Sequence, residues 1–147
     1  MIAIIIPFIV SFISSLFTAK TVSTWYPVLV KPFFSPPSWI FGPVWTILFF
    51  LMGIALFLIW IKDHKLKKAA LIIFGVQLVL NALWSVIFFG LQAPFLAFIE
   101  IIFLWFFILL TIVYFYNISK PAAYLLLPYI LWVSFAVLLN FGIVLLN

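Results

Sequence analysis

Five stretches of this chain are long and apolar enough to cross a lipid bilayer, and they limit its possible folds more than any other feature. They run over roughly Ile2–Thr21, Trp39–Ile61, Ala69–Gly90, Pro94–Tyr116 and Ala122–Leu146, each bounded by lysine, proline, glycine or asparagine. A helix rises ~1.5 Å per residue, so ~20 apolar residues cover a hydrocarbon core of ~30 Å. Hydrocarbon offers no hydrogen bonds to an exposed backbone, so continuous runs of this length predict helices, which satisfy their own N–H and C=O groups. The 147 residues therefore predict one all-α membrane domain, a five-helix transmembrane bundle occupying the whole chain.

Composition points the same way: 70% of residues are hydrophobic and 6% are charged, against roughly half and about a quarter in soluble domains. The first run lacks a basic start and a small-x-small cleavage site, so it reads as a retained helix. The net charge of +5 comes from seven lysines against two acids. These lysines sit mainly at the ends of apolar runs, where they orient helices and touch anionic headgroups, so membrane lipids are expected partners and nucleic acid is not. Five of them fall in the connections 62–68 and 117–121, and two, Lys20 and Lys31, flank the first connection. The lysine-rich side is expected to be cytoplasmic. That puts the N-terminus and loop 62–68 inside, and loop 22–38 and the C-terminus outside.

The first connection, Val22–Ser38, is the long one. It carries Trp25, Tyr26, Lys31 and the prolines Pro27, Pro32, Pro36 and Pro37. Four prolines forbid a regular helix there, so an ordered cap is expected, hinged at its attachments and controlling access to whatever lies beneath. The other connections are short, which makes sequential helices antiparallel neighbours.

The residue inventory excludes much chemistry. There is no cysteine, and the one histidine, His64, lies in the lysine-rich loop, so no metal site and no haem-ligating imidazole is expected within the bundle. Paired carboxylates, a serine–histidine arrangement and a glycine-rich phosphate cradle are all missing, which argues against hydrolytic or phosphoryl chemistry.

Amide, carboxyl and serine side chains within the last three runs are few: Gln77, Asn81, Ser85, Glu100, Ser134 and Asn140. Each is costly unless it faces protein or water, so together they mark the bundle interior. Gln77, Asn81, Trp84 and Ser85 recur at i, i+4, i+7 and i+8, which places them on one stripe of the third helix. The plain reading is interhelical hydrogen bonding worth about 0.6 to 2 kcal/mol each. Glu100, the one carboxyl in a span, reads as a structural partner or as a proton relay. Aromatics make up 22% of the chain, and Trp45, Trp84, Trp105 and Trp132 fall at mid-span. A buried indole N–H prefers a partner, so these rings and the amides together could line a flat, mostly apolar cavity suited to a planar ligand. Such binding requires no cofactor.

Several ordered motifs carry a resemblance. Trp25-Tyr26, Lys31-Pro32, Pro36-Pro37, Trp39, Phe41-Gly42-Pro43-Val44-Trp45-Thr46 and Met52-Gly53 are followed by Gln77-Leu78, Asn81, Trp84-Ser85 and Phe88-Phe89-Gly90. Pro121-Ala122-Ala123, Leu127-Pro128-Tyr129, Trp132, Phe135-Ala136 and Leu139-Asn140 complete the set. This pattern resembles the TspO/MBR family, the translocator proteins and tryptophan-rich sensory proteins. The resemblance implies a five-helix bundle that often dimerises, with a pocket closed by the first connection. It also implies binding of porphyrins and, in many members, of isoquinoline-type or benzodiazepine-type drugs. Carried over by position, the binding residues are Trp25, Tyr26, Trp45, Phe49, Asn81, Trp84, Ser85, Trp132 and Ala136. Trp45 and Trp132 also match tryptophans linked in some members to light-dependent breakdown of bound protoporphyrin, the one catalytic role the resemblance implies. Two departures stand out. Glu100 replaces an aspartate found in many relatives, and the stretch Leu138–Asn147 lacks the tyrosine and basic residue of the sterol-recognition pattern. The implied function is tetrapyrrole binding by a sensor, scavenger or regulator of tetrapyrrole metabolism. Photo-oxidative degradation and transport are the alternatives, and transport is weakened by the lack of an inverted repeat.

Overall fold

The computed structural model describes residues 2–21 and 24–147; Met1, and Val22 and Ser23 at the start of the expected cap, lie outside the described residues. All regular structure in the described residues is helical: α1 (Ile2–Thr21), α2 (Phe41–Trp60), α3 (Lys67–Ser85), α4 (Pro94–Ile118), α5 (Lys120–Leu125) and α6 (Leu127–Leu146). Four stretches, Phe41–Trp60, Lys67–Gly90, Pro94–Ile118 and Lys120–Leu146, are long and apolar enough to cross a membrane. α1, of 20 residues, packs along α2 and α3.

The element ends show what local chemistry adds to hydropathy. Trp39, expected to open the second helix, lies instead in a 3-10 turn, Ser38–Ile40, that leads from Pro36-Pro37 into α2. At the other end of α2, the Lys67 ammonium donates to the Trp60 carbonyl at 2.7 Å, and His64 Nδ1 accepts from the Leu66 N–H at 3.0 Å. These bonds start α3 two residues earlier than its apolar run. α3 continues into a π-turn over Val86–Gly90, closed by Leu91 N–H to the Val86 carbonyl at 2.8 Å. The chain then reverses through Gln92, whose φ of 51° is left-handed.

The fifth run, expected as one helix, is two. Pro128 has no N–H to return to the Tyr124 carbonyl, and its ring crowds that position. The Leu126 N–H accordingly bonds back three residues to Ala123 at 3.1 Å, and α6 restarts with the Ile130 N–H on the Leu126 carbonyl. Ser119 caps α5, its hydroxyl accepting from the Ala122 N–H at 3.5 Å.

α3 packs against α1 and α4, α4 against α5 and α6, and α2 against α1 and α5. Near the 62–68 loop the core is dense. Met52, Ala55 and Ile59 of α2 join Ala70 and Phe74 of α3, Ile108 and Phe115 of α4, and Ala122 and Ala123 of α5. The opposite end, where α2 and α6 meet through the rings of Phe41 and Trp132, is filled by a second cluster of Tyr26, Phe88, Phe89, Ala97, Leu139 and Ile143.

Candidate ligand-binding cavity

Helical spacing builds the walls. Phe41, Trp45 and Phe49 repeat every four residues and present one face of α2. Asn81, Trp84, Ser85 and Phe88 do the same on α3 and its π-turn, as do Trp132, Ala136, Leu139 and Ile143 on α6. With Ser11 and Ser15 of α1 and Tyr26 of the cap, these faces enclose a cavity of about 270 Å³. Among the described residues no charged side chain lines it.

Polar side chains join the walls. The Tyr129 hydroxyl donates to Gln77 Oε1 at 2.7 Å and accepts from Asn81 Nδ2 at 2.8 Å, bridging α6 to α3. The Trp84 indole N–H donates to Asn140 Oδ1 at 3.0 Å, and Asn140 Nδ2 donates to the Pro94 carbonyl at 2.9 Å. The in-span amides thus act as interhelical hydrogen-bonding groups. Asn81 and Asn140 also border the cavity, whereas Gln77 lies beneath it, against Met52 Sδ at 3.9 Å. Trp45 stands 5.7 Å from Phe49 and 6.4 Å from Tyr129. Trp132 stands 6.1 Å from Phe41 and 5.4 Å from Phe135, and its indole N–H is buried without a partner. An unmet buried donor is a cost that a ligand's acceptor can relieve.

The cap is a folded lid. Tyr26, 3% exposed, sits within 6.2 Å of the rings of Phe41, Phe88 and Phe89. Burial pushes its hydroxyl above the ordinary 10, and the neighbouring Ser35 hydroxyl pulls it down less strongly, although the two groups do not meet hydrogen-bond geometry. The Lys31 ammonium donates to the carbonyls of Tyr26, Pro27 and Leu29 at 3.1, 3.3 and 3.2 Å and lies 4.9 Å from the Tyr26 ring centroid. Asn147 holds the Val30 backbone at both its N–H, 3.2 Å, and its carbonyl, 2.8 Å. The Pro32 ring occupies the space that a side chain on Gly142 would fill.

Of the residues expected at the site, Tyr26, Trp45, Phe49, Asn81, Trp84, Ser85, Trp132 and Ala136 line the cavity. Trp25 does not: it packs edge-on against Phe88 at 5.4 Å and Phe89 at 6.4 Å, with these rings closing over the cavity instead. Trp105 also points elsewhere, its N–H donating to Ser134 Oγ at 2.8 Å. Both oxygens of Glu100 are buried without a hydrogen-bond partner, and Glu100 is not part of the lining. Sequence reasoning missed Phe41, Phe88 and Phe89, which were visible only as members of motifs. It also missed Ser11 and Ser15, whose sole signal is two hydroxyls four residues apart.

Comparison with known proteins bears on this architecture. The tryptophan-rich protein TspO of Archaeoglobus fulgidus is 50% identical over 138 residues, covering 94% of this chain and 90% of that one. The TspO protein of Chlorobaculum tepidum is 48% identical over 142 residues, covering 94% and 89%. The human translocator protein is 35% identical over 133 residues, covering 88% and 79%. The profile of the TspO/MBR family matches residues 3–146, so this chain is an integral membrane protein that belongs to the TspO/MBR family.

Proposed function

We propose that the cavity binds a planar, largely apolar ligand of the porphyrin class, and that the protein serves as a sensor, scavenger or regulator of tetrapyrroles. The observation that carries this reading is the wall itself: aromatic faces from α2, α3, α6 and the lid, edged by Asn81 and Asn140 and free of charge among the described residues. Aromatic rings take up a conjugated macrocycle by offset and edge contacts. The cavity, at about 270 Å³, lies just under the roughly 300–1,000 Å³ usual for ligand sites, so a macrocycle needs more room than the closed state offers. The names of relatives speak of sensing and of translocation, and both begin with a held ligand. Titrating protoporphyrin while following tryptophan fluorescence tests the reading. Saturable quenching that weakens in Trp45→Ala and Asn81→Ala supports it; affinity unchanged in both folded variants overturns it.

A second reading, photo-oxidation of the bound ring, draws on Trp45 and Trp132 both lining the cavity. Illumination in oxygen should bleach protoporphyrin faster with wild-type protein than with a Trp45→Phe, Trp132→Phe double variant. Equal bleaching rules it out. We infer further that α1 is a fifth span and that loop 62–68 faces the cytoplasm. A reporter fused after Asn147 and active only in the cytoplasm would contradict that orientation.

A further inference from the structure

The path of the lid along α6 fixes its depth. Val30 is bonded to Asn147, Pro32 fits against Gly142, and the Phe34 ring stands 6.0 Å from that of Phe135. From Asn147 back to Phe135 is twelve residues, a descent of about 18 Å at the helical rise. The chain then leads into α2, whose first residue, Phe41, meets Trp132 of α6. The apolar stretch that contains α6, Lys120–Leu146, has 27 residues. Its length is at most about 40 Å, about 10 Å more than the hydrocarbon it crosses. If all of that excess projected on the lid side, Phe34 and the turn into α2 would still lie below the headgroups.

The face that the lid turns away from the bundle is apolar. Phe33 is 100% exposed, Val28 75% and Trp39 72%. This face continues the exposed surface of α6 at Leu131 and Leu138. Water around it would be unfavourable, whereas acyl chains match it.

The backbone is prepared for the same surroundings. Irregular chain at membrane depth needs its polar groups satisfied within the protein. The Lys31 ammonium, the one charge in segment 22–38, donates to the carbonyls of Tyr26, Pro27 and Leu29. Asn147 satisfies both polar groups of Val30. The N–H groups of Val28, Leu29 and Ser35 donate to the carbonyls of Trp25, Tyr26 and Pro32 at 3.2, 3.2 and 3.0 Å. Pro27, Pro32, Pro36 and Pro37 have no N–H to satisfy.

We propose that the outer face of the lid is a lipid-contact surface: Val28, Phe33 and Trp39 are embedded among the acyl chains of the leaflet on the lid side, and the lipid forms the outer wall of the closed lid. The partner is bilayer lipid, and the assignment does not depend on what the cavity binds. It follows that the lid is held from both faces, by its bonds to the bundle and by the membrane.

The chain has no cysteine, so single cysteines report on their own positions. The test uses Phe33→Cys and Val28→Cys in the lid, Lys65→Cys as the aqueous reference and Phe106→Cys, exposed at mid-span on α4, as the lipid reference. All are placed in phosphatidylcholine nanodiscs, which leave both membrane faces open to buffer. A charged methanethiosulfonate, which reacts with thiols in water, should modify both lid cysteines at least about tenfold more slowly than Lys65→Cys. A bimane label on either lid cysteine should be quenched by lipids brominated on the acyl chain, as on Phe106→Cys and unlike on Lys65→Cys. Rapid modification of both lid cysteines, at the rate of Lys65→Cys, overturns the proposal. Slow modification without quenching by brominated lipid shows protein covering the face, a second copy of the chain included, and overturns it equally.

Discussion

At the end near loop 62–68, Ala55, Ala70, Ala122 and Ala123 are fully buried and the helices close on one another around them. At the lid end one alanine, Ala97, joins Tyr26, Phe88, Phe89, Leu139 and Ile143 in the buried cluster, and a cavity of about 270 Å³ lies beside them. Both ends are apolar, so hydrophobicity does not separate them. Side-chain size and shape do: alanine lets backbones approach, whereas rings meeting edge to face, such as Phe41 of α2 and Trp132 of α6 at 69°, hold helices apart and tile poorly. Atoms bordering a void lose dispersion partners, so the hollow end gives up stability and gains room for a guest. The Gln77–Tyr129–Asn81 bridge lies between the two regimes.

The contrast is open to direct attack. Phe115 is fully buried and stacks on Phe74 at 5.7 Å, so Phe115→Ala should cost about 3–5 kcal/mol. Phe135→Ala, at a half-buried ring already bordering the cavity, should cost less than about half of that. Unfolding in mixed micelles reads both, and equal losses would erase the distinction between the ends. The boundary comes next: Tyr129→Phe strands Gln77 Oε1 and Asn81 Nδ2 and should cost about 1–3 kcal/mol. Adding Gln77→Leu should then cost little more, because the partner it removes is already unpaired. A fully additive double variant would show the bridge to be no unit. The smallest effect is expected for Asn147→Ala, about 0.5–1.5 kcal/mol, seen chiefly as faster proteolysis within Val28–Phe33. Unchanged cleavage there would mean that the lid is held without this clasp.

Four of the spans were legible because hydrophobic runs of that length have one solution in lipid, and the interior stripe of α3 because amides are costly elsewhere. The division of the last run at Leu126 was marked by Pro128, but lipid-buried helices tolerate proline often enough for the signal to pass as a continuation. The tryptophans show the limit more sharply. Trp84 and Trp105 are both mid-span and both donate to a polar partner on α6, yet one walls the cavity and the other does not. Nothing within a few residues of either distinguishes them, since the rotation of each helix is set by all its neighbours at once. Trp25 likewise shares its motif with Tyr26 but packs behind Phe88 and Phe89.

The π-turn at Val86–Gly90 has a consequence for chain length. Its closing bond skips one residue more than an α-helix allows, so the segment holds one residue beyond what a straight helix of the same rise would use. Within it the adjacent Phe88 and Phe89 both turn inward beneath Trp25 and Tyr26. Deleting a single residue here should straighten α3 while rotating one ring out toward lipid. The lid would lose half its aromatic seat although no residue that touches Asn81 or Trp132 had changed.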